Sequence, residues 1–256
     1  MEKYDNKLES ALNSFKNGDY KAAIKDFEEL NSQEPNDAGV LNNIGLCYAN
    51  LEENDKAIEY YLKALQIDSK LVQTYVNLSD VYYKEKKIID AINMLETAVT
   101  LMPENTVLKN CLARFYIEDV RYDLAITELS EILDMEPDNV DAAWDLGNVF
   151  FETGEYENAI AHYELVLEKI TDNSVMYFQT AAACEAADEL DKAVSYHLKA
   201  ISYNPNFYPS YKKLGILFSA RGDKESAIEY FEEYLKYELP KDEVETIQNV
   251  LANLKK

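Results

Sequence analysis

The feature that most constrains this chain is a period. Stepping through the sequence by 34 residues, alanine returns at Ala23, Ala57, Ala91, Ala125, Ala159, Ala193 and Ala227. The residue after it is isoleucine each time except at Val194. Four residues beyond each alanine stand Phe27, Tyr61, Leu95, Leu129, Tyr163, His197 and Phe231. The stretches Leu41 to Leu65 and Ala143 to Leu167 align without a gap at three periods. Spacing that never slips means one structural unit repeated, and a unit this small must stack on its neighbours to bury its apolar face.

Within each unit apolar residues recur three and four apart, the periodicity of helix. Gly18, Gly154 and Gly222 share one phase and are each followed by Asp or Glu. They predict a turn in which a positive φ is easily adopted. Pro35, Pro103, Pro137 and Pro205 share another phase, ahead of the next helix. Gly45, Gly147 and Gly215 share a third, inside the first helix of their units. Glycine there costs about 1 kcal/mol against alanine, so its return predicts two helices in close contact. The invariant alanine fits the same reading, since a larger side chain would force the paired helices apart. Each unit is then helix, short turn, helix, short turn.

The segment "LGNVFFETGEYENAIAHYELVLE" carries Leu-Gly, Tyr, Ala and an aromatic at the spacing of the tetratricopeptide repeat, and the chain resembles that family over seven units. Ser69 and Thr171 replace the closing proline and His197 replaces the aromatic. The resemblance implies an all-α fold, an α-solenoid forming a right-handed superhelix of antiparallel helical hairpins. Residues 1–256 then read as a single domain with repeats at 4–37, 38–71, 72–105, 106–139, 140–173, 174–207 and 208–241. A capping helix follows at 242–256, with Asp242 expected to cap its start. Its stripe of Val244, Ile247, Val250, Leu251 and Leu254 would cover the open face of the seventh unit.

Composition removes several classes of function. The net charge of −23 repels nucleic acid and anionic lipid. No apolar run is long enough to insert in a membrane, and the first residues carry no apolar signal core. With three scattered cysteines, this points to a cytoplasmic protein with free thiols. No catalytic residue, metal ligand set or cofactor is expected. The two histidines, His162 and His197, have no partner at metal spacing, and no nucleophile elbow, phosphate loop or dinucleotide fingerprint is present. "DMEPDNVDAAWD" has acids at several calcium-loop positions but lacks the glycine and the closing glutamate. "RGD" at 221–223 falls at the turn phase, where other units have "TGE" and "NGD".

In the family the first helices of the hairpins line a concave groove that holds peptides or partner proteins. By that resemblance the positions two before the contact glycine face inward, and they include Asn43, Asn77, Asp145 and Gln179. Side-chain amides in such a row can hydrogen-bond an extended peptide backbone, or serve simply as solvated surface. The positions three before the glycine include Asn42, Asn110, Trp144, Phe178 and Lys212, and those one after it include Arg114 and Asn148. Trp144, the only tryptophan, is thus one residue past the column of Leu41, Tyr75, Tyr177 and Tyr211 that should pack inside the hairpins. One helical residue is about 100° of rotation, which carries Trp144 toward the groove. With Phe178 it makes an aromatic pair among amides and charges, a composition of binding hot spots, although both rings could instead pack against neighbouring repeats. The set that holds C-terminal carboxylates in some family members cannot be completed, with Leu8 and Leu12 at its first positions.

Residues 140–173 carry one basic residue against eight acidic, and residues 106–139 three against eight. Either a basic partner is steered to these units, or the acids serve only solubility. The reading is a non-enzymatic scaffold for a peptide or partner protein. Its alternatives are a self-associating structural protein and a recruiting or regulatory subunit of an enzyme complex.

Overall fold

The computed structural model describes residues 2–256, with side chains from Tyr4 on. Among the described residues the regular elements are fifteen helices and no strand. The chain divides into two compact units, one ending at Pro137 and one beginning at Asp138. The first contains α1 (Glu2–Lys16), α2 (Tyr20–Gln33), α3 (Ala38–Asn50), α4 (Asn54–Ile67), α5 (Val72–Lys84), α6 (Ile88–Leu101), α7 (Thr106–Glu118) and α8 (Tyr122–Met135). The second contains α9 (Val140–Glu152), α10 (Tyr156–Lys169), α11 (Ser174–Ala186), α12 (Leu190–Tyr203), α13 (Tyr208–Ala220), α14 (Lys224–Tyr234) and α15 (Lys241–Leu254). In each unit successive helices pair as hairpins, and each second helix also packs on the first helix of the next hairpin.

The turn inside every hairpin is built the same way. Gly18, Gly154 and Gly222 adopt φ of 78°, 81° and 79°. The four units without glycine force the same conformation on Glu52, Lys86, Val120 and Asp188, at φ of 57–61°. The next amide then reaches back to the helix, as where Glu155 N–H donates to Phe150 C=O at 2.8 Å and Arg121 N–H to Tyr116 C=O at 2.8 Å. These bonds use carbonyls that the helix end leaves without partners. Arg221, Gly222 and Asp223 form one such turn, with Asp223 Oδ1 accepting from Ser226 N–H. Between repeats Pro35, Pro103 and Pro137 lie ahead of helix starts capped by side chains, Asp37 on Val40, Asn105 on Leu108 and Asn139 on Ala142, and Asn173 caps α11 in the same way where Thr171 replaces the proline.

The contact glycines lie where the two helices of a hairpin meet at close range, as their phase predicts, and what stands nearest them is a ring of the second helix. A Cβ on Gly45 would stand 2.7 Å from the Tyr61 ring, one on Gly147 2.7 Å from Tyr163, and one on Gly215 2.6 Å from Phe231. The recurrent alanines are fully buried in the same layer.

The terminal helix buries Ile247 and Leu251 on Ala227, Phe231 and Tyr234, with Val250 and Leu254 at the margin. Lys255 Nζ binds Glu232 across this contact. Asp242 does not cap it. The helix begins one residue earlier, after Pro240 at φ −56°, and Asp242 lies in the first turn, favourable to the helix dipole.

Candidate functional site

The expected groove residues all lie on first helices. In the first unit Asn43 is half-buried on α3, Asn77 half-buried on α5, and Asn110 half-buried on α7 one turn before the exposed Arg114. Arg114 forms no ion pair with another described residue, whereas Arg121 binds Asp119. Asn77 is tied on two sides: its Oδ1 accepts from Gln73 Nε2 at 2.9 Å, and its Nδ2 donates to Asn42 Oδ1 at 3.1 Å. Asn42 also accepts from Thr74 Oγ1 at 3.0 Å. Asn42 therefore does not line the surface as expected. It is 8% exposed, because two donors from the next hairpin draw its carbonyl in. The link between neighbouring hairpins here runs from Asn42 to Asn77, and Asn43 takes no part in it.

In the second unit Trp144, Asp145 and Asn148 lie on α9, all half-buried, and Phe178 and Gln179 lie on α11, half-buried and exposed. Trp144 and Asn148 are brought together by one residue that the sequence reading left in the core. The Tyr163 ring lies 4.8 Å from the Trp144 ring, and its hydroxyl donates to Asn148 Oδ1 at 2.8 Å. That ring occupies the space freed by Gly147. Burial, with Glu152 nearby, pushes the Tyr163 phenol up, so it keeps its proton and acts as a donor. The pairing of Gly147 with an aromatic sixteen residues later was the available signal in the sequence.

Trp144 and Phe178 do not form a ring pair. Phe178 packs on His197 at 5.3 Å and on Phe207 at 5.6 Å. The imidazole of His197 is fully buried, as the column predicted, and bridges Ser210 Oγ at 3.2 Å and Glu185 Oε1 at 2.9 Å. Glu185 also accepts from Lys213 Nζ at 2.8 Å. Burial opposes its charge, but the hydrogen bonds from His197 and Lys213 outweigh burial and hold the carboxyl below its ordinary range. Lys212 binds Glu243 of α15 and lies over the Tyr234 ring, so both lysines of the pair are engaged.

A hollow of about 630 Å³ in the first unit lies at the inter-repeat turns, between Pro35 and Leu71, away from these residues. Two of its three carboxylates are already used: Asp37 caps α3 and accepts from Tyr4, and Asp68 accepts from Lys70 N–H. Cys47 and Cys184 are buried, and burial raises both thiols to about 12, which makes them poor nucleophiles. No helix among the described residues is long and apolar enough to cross a membrane.

Models of the tetratricopeptide repeat match residues 38–71, 72–105, 112–174 and 213–238, together more than half of the chain. BBSome complex member BBS4 of Bos taurus is 29% identical over 162 residues, 63% of this chain and 31% of its own. The chain spans about a third of the length of the first curated relatives it matches. Among solved structures, the C-terminal part of a TPR repeat-containing protein from Cytophaga hutchinsonii superposes with a TM-score of 0.79 at 18% identity, covering 93% of this chain and 98% of that one. YrrB, described as a TPR protein with an unusual peptide-binding site, superposes at 0.61 and 21% identity, covering 72% and 95%. The period, the hairpins with their shared turn, and these matches agree: the chain belongs to the tetratricopeptide repeat family, whose members are protein-interaction scaffolds.

Proposed function

We propose that this chain is a non-enzymatic scaffold that holds a peptide segment of a partner protein against the first helices of its repeats. The observation that carries the reading is on α9: the only tryptophan lies half-exposed beside an asparagine whose amide is held in place from below. A large ring next to an oriented polar group is the composition of a binding hot spot. The remaining contact residues are Asn43, Asn77, Asn110 and Arg114 in the first unit, and Asp145, Phe178 and Gln179 in the second. Arg114, which forms no ion pair among the described residues, suits a ligand carboxylate, while the acids of 140–173 suit basic side chains. YrrB binds a peptide; its likeness to this chain is one of fold and supports the reading only in that sense.

Affinity capture with mass spectrometry from the native host, wild type beside Trp144→Ala/Asn148→Ala, tests the reading. A partner retained by wild type and lost by the variant is expected. An unchanged partner set sets the groove aside. A concentration-dependent dimer lost on deleting 242–256 would favour the self-associating alternative instead. The reading treats residues 1–256 as one domain, whose signature is a single cooperative unfolding transition; two separate transitions would divide it.

A further inference from the structure

Asn148 is a polar side chain with a fixed orientation. The Tyr163 hydroxyl is buried and bonded only to this residue among those described. If the amide were flipped, its N–H would donate to the phenol oxygen and the phenol proton would be left buried without an acceptor. Donation from the hydroxyl to Oδ1 satisfies both groups. The ring cannot turn away to relieve a flipped amide, because Gly147 on one side and Trp144 on the other enclose it. One acceptor site of the Asn148 carbonyl is therefore taken from the protein side, and both N–H donors have no hydrogen-bond partner among the described residues and are left for a ligand.

What surrounds this donor is apolar on one side and acidic on two. Trp144 precedes Asn148 by one helical turn, and Ala182, half-buried, is its equivalent on the next first helix, where other repeats carry Leu46, Asp80, Arg114 and Ile216. Asp141 and Glu152 are exposed on the same helix, seven residues before Asn148 and four after it, and Glu152 is near enough to Tyr163 to raise its phenol.

Resting on the groove reading above, the geometry points to one occupant. An extended basic peptide gives a backbone carbonyl to the Asn148 amide, lays an apolar side chain on the Trp144 ring, and directs flanking Lys or Arg side chains to Asp141 and Glu152. Tyr163 is the positioning residue: it touches no ligand and sets which face of the amide the ligand meets. An acidic peptide would meet like charges here, and a ligand offering only donors would meet donors.

The test uses the full chain and the emission of its only tryptophan. The probe is the acetylated, amidated pentapeptide Lys-Lys-Leu-Lys-Lys, beside the same peptide with a thioamide at the leucine carbonyl, a much weaker acceptor, and the acidic peptide Glu-Glu-Leu-Glu-Glu. Wild type should bind the basic probe, with the thioamide weakening it about tenfold, and should not bind the acidic one. Tyr163→Phe, which keeps the ring, should weaken the basic probe and reduce the thioamide effect to less than about twofold, a loss of coupling that mere structural damage would not produce. Asn148→Asp should bind the basic probe without thioamide discrimination. If the basic probe binds wild type and the thioamide costs the same in wild type and Tyr163→Phe, the positioned donor is overturned while the groove reading survives. If the basic probe leaves the emission unchanged up to about millimolar, or the acidic probe binds better, the occupant is overturned. If binding persists in Trp144→Ala by calorimetry, the groove reading itself fails.

Discussion

Gly45, Gly147 and Gly215 face the rings of Tyr61, Tyr163 and Phe231, whereas Ser79, Ala113 and Ala181 stand at the same register before Leu95, Leu129 and His197. A glycine in the first helix and a ring sixteen residues later are thus two halves of one packing choice. Ala11 with Phe27 shows that the first hairpin accommodates a methyl group at the same place. The sequence displays this pairing, and the glycine phase predicts the close contact, but which side chain fills the space follows only from the packing of the two helices. Two of these rings make a controlled comparison. Tyr163 donates to Asn148, while Leu46 stands at that place before Tyr61, whose buried hydroxyl has no partner among the described residues. Tyr163→Phe should therefore destabilise by about 1 kcal/mol, and Tyr61→Phe should be neutral or stabilising by about 1 kcal/mol. Urea unfolding midpoints of the two variants check this, and equal losses would contradict the geometry. Asn42 shows what was illegible: its column predicts exposure, and only the position of Thr74 and Asn77 on the next hairpin explains its burial.

At the scale of the element, the helices were legible because their apolar period and the glycine and proline phases agree. The conformation of the turn was legible only where glycine stands in it. Glu52, Lys86, Val120 and Asp188 adopt the same positive φ because the packing of the hairpin dictates it. The strain is greatest for Val120, a β-branched residue at φ 60° that is 67% exposed and so gains little from packing. Val120→Gly should stabilise by about 1 kcal/mol, the relief of the left-handed backbone outweighing the added chain entropy. Gly154→Val should cost at least as much, and thermal unfolding of both variants measures the difference. The last helix was predicted from its stripe, and its start was misplaced because Pro240 fixes the entry and leaves Asp242 inside. Leu251→Ala should cost about 2–4 kcal/mol, since Leu251 is 7% exposed against Phe231 and Tyr234. Amide exchange should then quicken first in α14 and α15; uniform quickening across the chain would contradict a local capping role.

For the molecule as a whole, charge and the few strongly held carboxylates act in opposite directions with pH. A net charge of −23 repels itself at neutral pH, and this repulsion fades as the solution approaches the isoelectric point near 4.4. Glu185 works the other way. Its folded pKa lies below the ordinary 4.5, because the hydrogen bonds from His197 and Lys213 outweigh the burial that opposes them. A carboxyl with a lowered folded pKa contributes stability that is complete above its unfolded value and disappears as pH falls through the folded one. Wild type should therefore hold or gain stability from pH 7 to about 5, then lose it steeply below 4.5. Glu185→Gln keeps the shape and removes the charge. It should cost on the order of 1 kcal/mol at pH 7, and the gap from wild type should close as pH drops below 4.5. Urea midpoints measured at intervals from pH 7 to 3.5, at low protein concentration to avoid precipitation, supply the comparison. Parallel curves would show that the Glu185 carboxylate takes no part in the acid transition. Converging curves would show that the partly buried bridge from Ser210 through His197 and Glu185 to Lys213 contributes to that transition. Nothing in the charge count hinted at that bridge, because its members lie on three helices and only His197 stood out in the period.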